Sequence, residues 1–397
     1  MAMPMPMPLR QLRVLCIGNG GVVRRSGGFY THRSLARFLT DLGAHVREVT
    51  LCAWLDPDDD PLADTTLAGA HHVRCVALPR FDGGAIKKWA NGLVAFTTLT
   101  TELLRADFTY LFWPGRLSSV AGRLCGLVGK PYGIYFRGED IPRDPAMPSL
   151  FAGARFVLAT GQILRETAAK YCGDVEVVTP MLDLRVTDIQ PPREAPRGEP
   201  WRLLYVGRFE ERKGAFDLLE ALSILDAEGA TFHLTIVGHC YDREGVARAI
   251  DTRIADRVTF AGAIPDAKEL GDYYRDADAF ILPSHDEGFP RVLYEAMAFG
   301  VPILTTFVGS VGSVMVDGQN CLKLDVGNPR DIAKKTMRLF GSRDVWRDLS
   351  TGAHRTAIAV IGTWSQPHAV QVADRLVMSP NAIVRNSDRK HDRSPGK

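Results

Sequence analysis

Residues 280–302 read FILPSHDEGFPRVLYEAMAFGVP, and this stretch decides the fold. Phe280, Ile281 and Leu282 form a short, wholly apolar run, the pattern of a strand buried on both faces. Polar residues follow. Pro290 then suits the first turn of a helix, where its missing N–H costs nothing. Residues 291–299 carry helical spacing, with Val292, Leu293, Ala296 and Met297 apolar, and Gly300 and Pro302 end the helix. Strand, loop and helix in this order form one unit of a parallel α/β sheet. Gly288 and Phe289 fall at the helix N-terminus, whose free backbone N–H groups suit phosphate or sugar oxygens. Glu287 precedes the helix, where it also suits the helix dipole. Glu295 lies deeper, in an otherwise apolar helix, and there it wants a polar partner.

The same alternation extends outward. Upstream, residues 203–206 and Phe232–Val237 read as strands, with a polar turn at 207–214 and a helix at 215–225 between them. The turn holds Arg208 and Lys213, two cations on one loop that can hold a diphosphate, one as a planar fork and one as a compact charge. The intervening Glu210, Glu211 and Arg212 equally allow a solvated turn. Downstream, residues 301–306 read as a strand ending in Gly309-Ser310, either a cover for phosphates or a plain turn. Near the start, Arg13–Ile17 reads as a strand, residues 18–28 as a loop with five glycines, and residues 29–42 as a helix.

Residues 190–200 hold four prolines, break any helix or central strand, and read as a linker. The expected organisation is a Rossmann-like domain over 1–190, a linker at 191–200, a second Rossmann-like domain over 201–361, a helix over 362–378 and a disordered tail over 379–397. The fold class is therefore α/β, with two Rossmann-like domains facing a cleft, the preferred place for a ligand.

Bulk properties agree. The 397 residues are 46% hydrophobic and 24% charged, ordinary for a packed globular chain, and the net charge of +2 gives no reason to expect nucleic-acid binding. The seven cysteines are scattered, without metal or redox spacing, and read as reduced thiols in a reducing compartment. No apolar run reaches the ~18–20 residues that span a bilayer. The Met-Pro repeat at residues 3–8 lacks the features of a signal peptide and reads as a disordered leader.

Gly207-Arg208-Phe209 with Lys213-Gly214, then Pro283-Ser284, Glu287-Gly288-Phe289-Pro290, Glu295-Ala296-Met297-Ala298 and Gly300-Val301-Pro302, resembles the family 4 retaining glycosyltransferases of the GT-B fold. The likeness is dense over residues 201–325 and weaker at Gly27-Gly28 and residues 42–46. It implies that the second domain holds a nucleotide sugar. Arg208 and Lys213 would bind the diphosphate and stabilise the leaving group. Glu287 would contact the sugar beside Gly288, Phe289 and Pro290, and Glu295 the ribose. Gly309 and Ser310 would cover the phosphates, and Gly27 and Gly28 would approach them from the other domain. The resemblance implies transfer with retention, no metal and no cofactor beyond the donor. It also implies that Thr363-Trp364-Ser365 and the periodic residues 369–378 cross back to the first domain, although a locally packed terminal helix fits the sequence nearly as well.

Departures from the family pattern fall in both domains. Many members carry a histidine where Tyr132–Phe136 runs into Arg137-Gly138-Glu139-Asp140. Arg137 stays protonated and cannot act as a base. Arg137 and Asp140 are candidates for contacting acceptor or sugar, and an ion pair of Arg137 with Glu139, Asp140 or Asp144 is the plainer reading. His239 replaces a frequent glycine, and His285 beside Asp286 allows acid–base chemistry or none. Arg24, Arg25, Arg116, Arg123, Arg137 and Arg143 suit an anionic acceptor or a dispersed surface charge. Residues 86–104 begin Ile86-Lys87-Lys88-Trp89 and suit either domain packing or contact with an anionic leaflet.

The expected function is sugar transfer from a nucleotide sugar to a glycan or lipid-linked acceptor, in polysaccharide or glycolipid synthesis, in the cytoplasm or peripherally at the inner membrane face. Competing readings are a nucleotide-sugar epimerase or a non-catalytic nucleotide-sugar-binding protein. A phosphorylase lacks a candidate lysine for pyridoxal phosphate. A nicotinamide oxidoreductase lacks the last glycine of its fingerprint at residues 18–23 and leaves Glu287 and Glu295 unexplained.

Overall fold

The computed structural model describes residues 8–18, 20–57, 63, 65–138, 144–178, 181, 184, 186–240, 242–264, 266–362 and 367–378. The expectations for residues 1–7, Glu139, Asp140, Arg143, Thr363, Trp364, Ser365 and 379–397 lie outside the described residues.

The second half of the chain builds a six-stranded sheet, parallel throughout. Its spatial order is Val258–Gly262, Phe232–Val237, Trp201–Val206, Ala279–Leu282, Ile303–Thr306 and Leu322–Leu324. In chain order this is 3-2-1-4-5-6, the doubly wound arrangement. The direction of winding reverses between Trp201–Val206 and Ala279–Leu282, and a crevice opens there at the strands' C-terminal ends. The four residues Ala279–Leu282 are all buried, because helices cover both faces.

The first half repeats the plan. Val73–Leu78, Glu48–Asp56, Arg13–Ile17, Phe108–Trp113, Tyr132–Phe136, Val157–Ala159 and Val175–Val177 lie side by side in parallel, again 3-2-1-4-5-6 with a seventh strand added. Separate hydrophobic clusters fill the two faces of this sheet. The two domains therefore bring their switch points to the same cleft.

Three features differ from the sequence reading. The glycine-rich segment is not one loop. Val22–Arg25 and Gly28–Thr31 pair antiparallel, with Arg25 opposite Gly28, so Ser26 and Gly27 form a two-residue hairpin turn. The helix starts at Arg33, not Phe29. The alternating Phe29-Tyr30-Thr31 prefers a strand, and helical periodicity past Arg33 hid that preference.

The linker is not free either. Met181 belongs to a core cluster of the first domain, whereas Leu184 and Ile189 pack on the second, so the crossing precedes residue 190. Arg193 N–H donates to Ser350 Oγ (3.0 Å) and its guanidinium lies over Trp346, while the Arg197 N–H donates to Asp278 (3.0 Å). Prolines exclude a helix here, and side chains satisfy the extended backbone instead.

The last described helix runs His368–Met378. Ala369, Val372, Ala373 and Leu376 enter a first-domain cluster, and His368 Nε2 bonds the buried Tyr110 hydroxyl (2.8 Å). Arg375 pairs with Asp174 and Glu176. The chain thus ends its described course on the domain where it began.

Candidate active site

Each half of the candidate site hangs from the C-terminal end of one strand. Trp201–Val206 delivers the loop with Arg208 and Lys213, and the neighbouring Ala279–Leu282 delivers the loop with Glu287. Gly214 allows the two loops to meet. It adopts a left-handed φ of +69°, and a Cβ there would lie 2.2 Å from the Pro283 carbonyl oxygen.

Several bonds stitch the loops. Lys213 Nζ lies 2.9 Å from Glu287 Oε1, both side chains being buried. Ser284 Oγ donates to the same oxygen (2.9 Å), and Lys213 also donates to the Asp286 carbonyl (3.3 Å). Arg212 pairs with Asp286, and the His285 N–H donates to the Arg212 carbonyl (2.9 Å). The His285 ring bonds Asp217 on the following helix, Ala215–Ala227, and lines neither of the two cavities described next. There it braces the loop against that helix.

Gly309 and Ser310 stand behind the Glu287 loop and line neither of these cavities. The Ser310 N–H donates to the Gly288 carbonyl (2.7 Å). A Cβ on Gly309, whose φ is +56°, would lie 1.7 Å from the Glu287 carbonyl oxygen. Both residues brace the Glu287 loop.

Between the domains lies a cavity of about 630 Å³. Arg208, Lys213 and Glu287, followed by Gly288, Phe289 and Pro290, line it from the second domain. Arg208 is half exposed, with Glu210 3.4 Å away, and its carbonyl accepts from the Tyr205 hydroxyl (2.7 Å). Burial, with the charge of Glu287 adding to it, pushes the Tyr205 phenol up, so it remains a neutral donor. The helix Arg291–Ala298 begins at this wall, with Pro290 as its cap residue.

Glu295 opens elsewhere. It lines an adjoining cavity of about 410 Å³ with Tyr274, Lys268 and Phe299, which shares His32, Ser34 and Arg291 with the first. Its polar partner is the Tyr274 hydroxyl, which donates at 2.8 Å. Burial, then the charge of Glu295, raises that phenol's pKa well above its ordinary value. The two carboxylates therefore serve two compartments on either side of one helix entrance.

The first domain's wall also differs from expectation. Gly27 and Gly28 sit at the hairpin turn and line neither cavity. Gly28 supports that turn with φ +123°. Gly20, Thr31, His32 and Ser34 line the cavity in their place. Arg137 lines it too, its guanidinium 5.8 Å from the ring centres of both Phe112 and Tyr135. Burial lowers its pKa, and no described carboxylate pairs with it. Asp144 accepts instead from Ser119 Oγ (3.0 Å) and the Ala146 N–H (2.8 Å).

Sequence reasoning passed over Arg291. It lines both cavities, and its Nη1 donates to Ser34 Oγ (3.1 Å) and the Met181 carbonyl (3.2 Å), joining the domains. A cation at a helix N-terminus opposes the dipole, and that mismatch was the available signal. Among the described residues, no cluster of three His, Cys, Asp or Glu side chains could hold a metal ion.

Two doubly wound domains, with a cavity at their facing switch points, define the GT-B class. Residues 186–355 match the model of glycosyl transferases group 1. A teichuronic acid biosynthesis glycosyltransferase, TuaC, described as putative in Bacillus subtilis (strain 168), is 32% identical over 210 residues, 48% of this chain and 51% of that protein. Glycogen synthase of Mycobacterium tuberculosis (strain CDC 1551 / Oshkosh) is 36% identical over 139 residues, 35% of this chain and 33% of its own. The chain thus spans about half or less of these curated relatives. Anabaena HepE, solved with UDP and glucose, shares the fold at a TM-score of 0.68 and 14% identity, covering 94% of this chain and all of its own.

Proposed function

We propose that this chain is a retaining glycosyltransferase that moves a sugar from a nucleoside diphosphate sugar to a glycan or lipid-linked acceptor, in polysaccharide or glycolipid assembly. One observation carries the reading: Arg208, Lys213, Glu287 and an open helix N-terminus converge on the cavity between the domains. Arg208 and Lys213 bind the diphosphate and stabilise the charge that develops on it as the glycosyl bond breaks. Glu287, held by Ser284 and Lys213, accepts hydrogen bonds from the sugar. Glu295, in the adjoining cavity, accepts them from the ribose. Retention follows the family resemblance, and no covalent nucleophile is assigned.

The likeness to a teichuronic acid enzyme and to glycogen synthase supports a glycan product. A lipid-linked acceptor fits the outer face of the first domain. The helix Ala85–Arg105 buries Leu99 and Leu103 but leaves Ile86 89% and Trp89 75% exposed, together with Leu93 and Phe96. Lys87 and Lys88 flank that apolar face, which suits an anionic leaflet. No described helix is long and apolar enough to cross a membrane. We place the protein on the cytoplasmic side, in keeping with its seven free cysteines.

A thermal-shift panel of nucleoside diphosphate sugars on the wild type and Lys213→Ala tests the reading. One donor should raise the wild-type melting temperature and leave the variant's unchanged. Stabilisation of both alike, or of neither, refutes it. Flotation with vesicles tests the membrane contact: phosphatidylglycerol vesicles should carry the wild type and release Trp89→Ala, while phosphatidylcholine vesicles carry neither.

A further inference from the structure

The cations lining the interdomain cavity are of two kinds. Four cations, Arg137, Arg208, Lys213 and Arg291, line it together with one carboxylate, Glu287. Two of the four have a carboxylate beside them: Lys213 has Glu287 at 2.9 Å and Arg208 has Glu210 at 3.4 Å. Arg137 and Arg291 have no such carboxylate among the described residues.

Geometry separates the cations into two sets. Arg208 and Lys213 share the loop after Trp201–Val206. Arg137 stands across the cavity on the first domain, packed against Phe112 and Tyr135. Arg291 joins it from the helix entrance, fixed by Ser34 and the Met181 carbonyl. Both guanidinium groups line the same cavity, and burial, with a smaller contribution from the charge of Arg291, lowers the pKa of Arg137. Ring faces compensate a buried cation only in part, and no described carboxylate neutralises either arginine. Two guanidinium forks facing one cavity suit a carboxylate or phosphate.

We infer that Arg137 and Arg291 form a second anion subsite, distinct from the donor's diphosphate, that takes a carboxylate or phosphate group beside the transferred sugar. The inference rests on the nucleotide-sugar reading above. The anion belongs either to the acceptor or to an acidic sugar on the donor.

The test uses the full chain saturated with the nucleoside diphosphate selected by the donor panel, so that the first anion site is filled. Inorganic phosphate is titrated in by calorimetry at constant ionic strength, with chloride as control. Wild type should bind phosphate saturably. Arg137→Met should weaken it at least tenfold, and Arg137→Lys should restore part of the loss. Nucleotide affinity should change less than threefold in both, which also shows that the variants are folded. The second arm compares nucleoside diphosphate glucose with the glucuronate. A preference for the glucuronate that Arg137→Met removes puts the anion on the donor, and phosphate binding without that preference puts it on the acceptor. Phosphate binding no better than chloride, or unaffected by Arg137→Met, with no such preference, overturns the subsite while the donor reading stands. Failure to bind any nucleoside diphosphate overturns both.

Discussion

The two domains share one strand order, yet their switch points are finished in opposite ways. In the second domain the charges are paired at home: Lys213 meets Glu287, Arg212 meets Asp286, and Gly214 and Gly309 let backbones touch where a Cβ would intrude. In the first domain the wall is aromatic and glycine-lined, and its one lining arginine, Arg137, rests on rings without a described carboxylate. The difference teaches that the second domain is organised before a ligand arrives. The first offers a surface whose charge a ligand completes.

The largest expected effect breaks the home pairing. Lys213→Ala should lower turnover by roughly 10²–10³-fold, as loss of a charge stabiliser does. It should also cost about 3–5 kcal/mol of stability, because Glu287 is left buried without its partner. Steady-state kinetics and urea denaturation measure the two parts. If turnover falls while stability is unchanged, the pair is not the structural clasp described here.

Next comes a change that touches no charge. Gly309→Ala must push back the Glu287 carbonyl and strain a positive φ, so it should cost more than about 1 kcal/mol and reduce turnover together with stability. The Gly28→Ala change, at the hairpin turn, should reduce stability and leave the donor KM alone. Equal effects of both on KM would erase the distinction between the two glycine sites.

The two carboxylates sharpen the comparison within the second domain. Glu287→Gln should lower kcat, whereas Glu295→Gln should chiefly raise the donor KM, because the two face different cavities. Tyr274→Phe removes the donor to Glu295 and should cost about 1 kcal/mol, with a few-fold rise in KM.

The smallest contrast expected is none at all. Burial pushes the Cys52 and Cys321 thiols up to about 12 and that of Cys125 to about 11, so both domains hide unreactive thiols. At neutral pH, mass mapping after a thiol reagent should find these three unmodified until the protein unfolds. Early modification in one domain alone would mark it as locally open.

Legibility in the sequence followed the same divide. The strand Ala279–Leu282, the helix closed by Gly300, and the need of Glu295 for a partner could all be read, because buried parallel strands and helix ends leave local signatures. The pairing of Lys213 with Glu287 depends on two loops brought together by neighbouring strands, and no local pattern shows it. In the first domain, the hairpin Val22–Thr31 was hidden under an apparent loop and helix, and Gly20, Thr31, His32 and Ser34 line the cavity where Gly27 and Gly28 were expected. Arg291 was equally obscure, since its contacts lie across the domain boundary.

The central claim concerns what the cations of the second domain hold, and the affinity ratio between a nucleoside diphosphate and the matching monophosphate measures it. Calorimetry should give wild type at least a tenfold preference for the diphosphate, and Lys213→Met should lose most of that preference while binding the monophosphate nearly as well. The same ratio in both proteins would contradict the account.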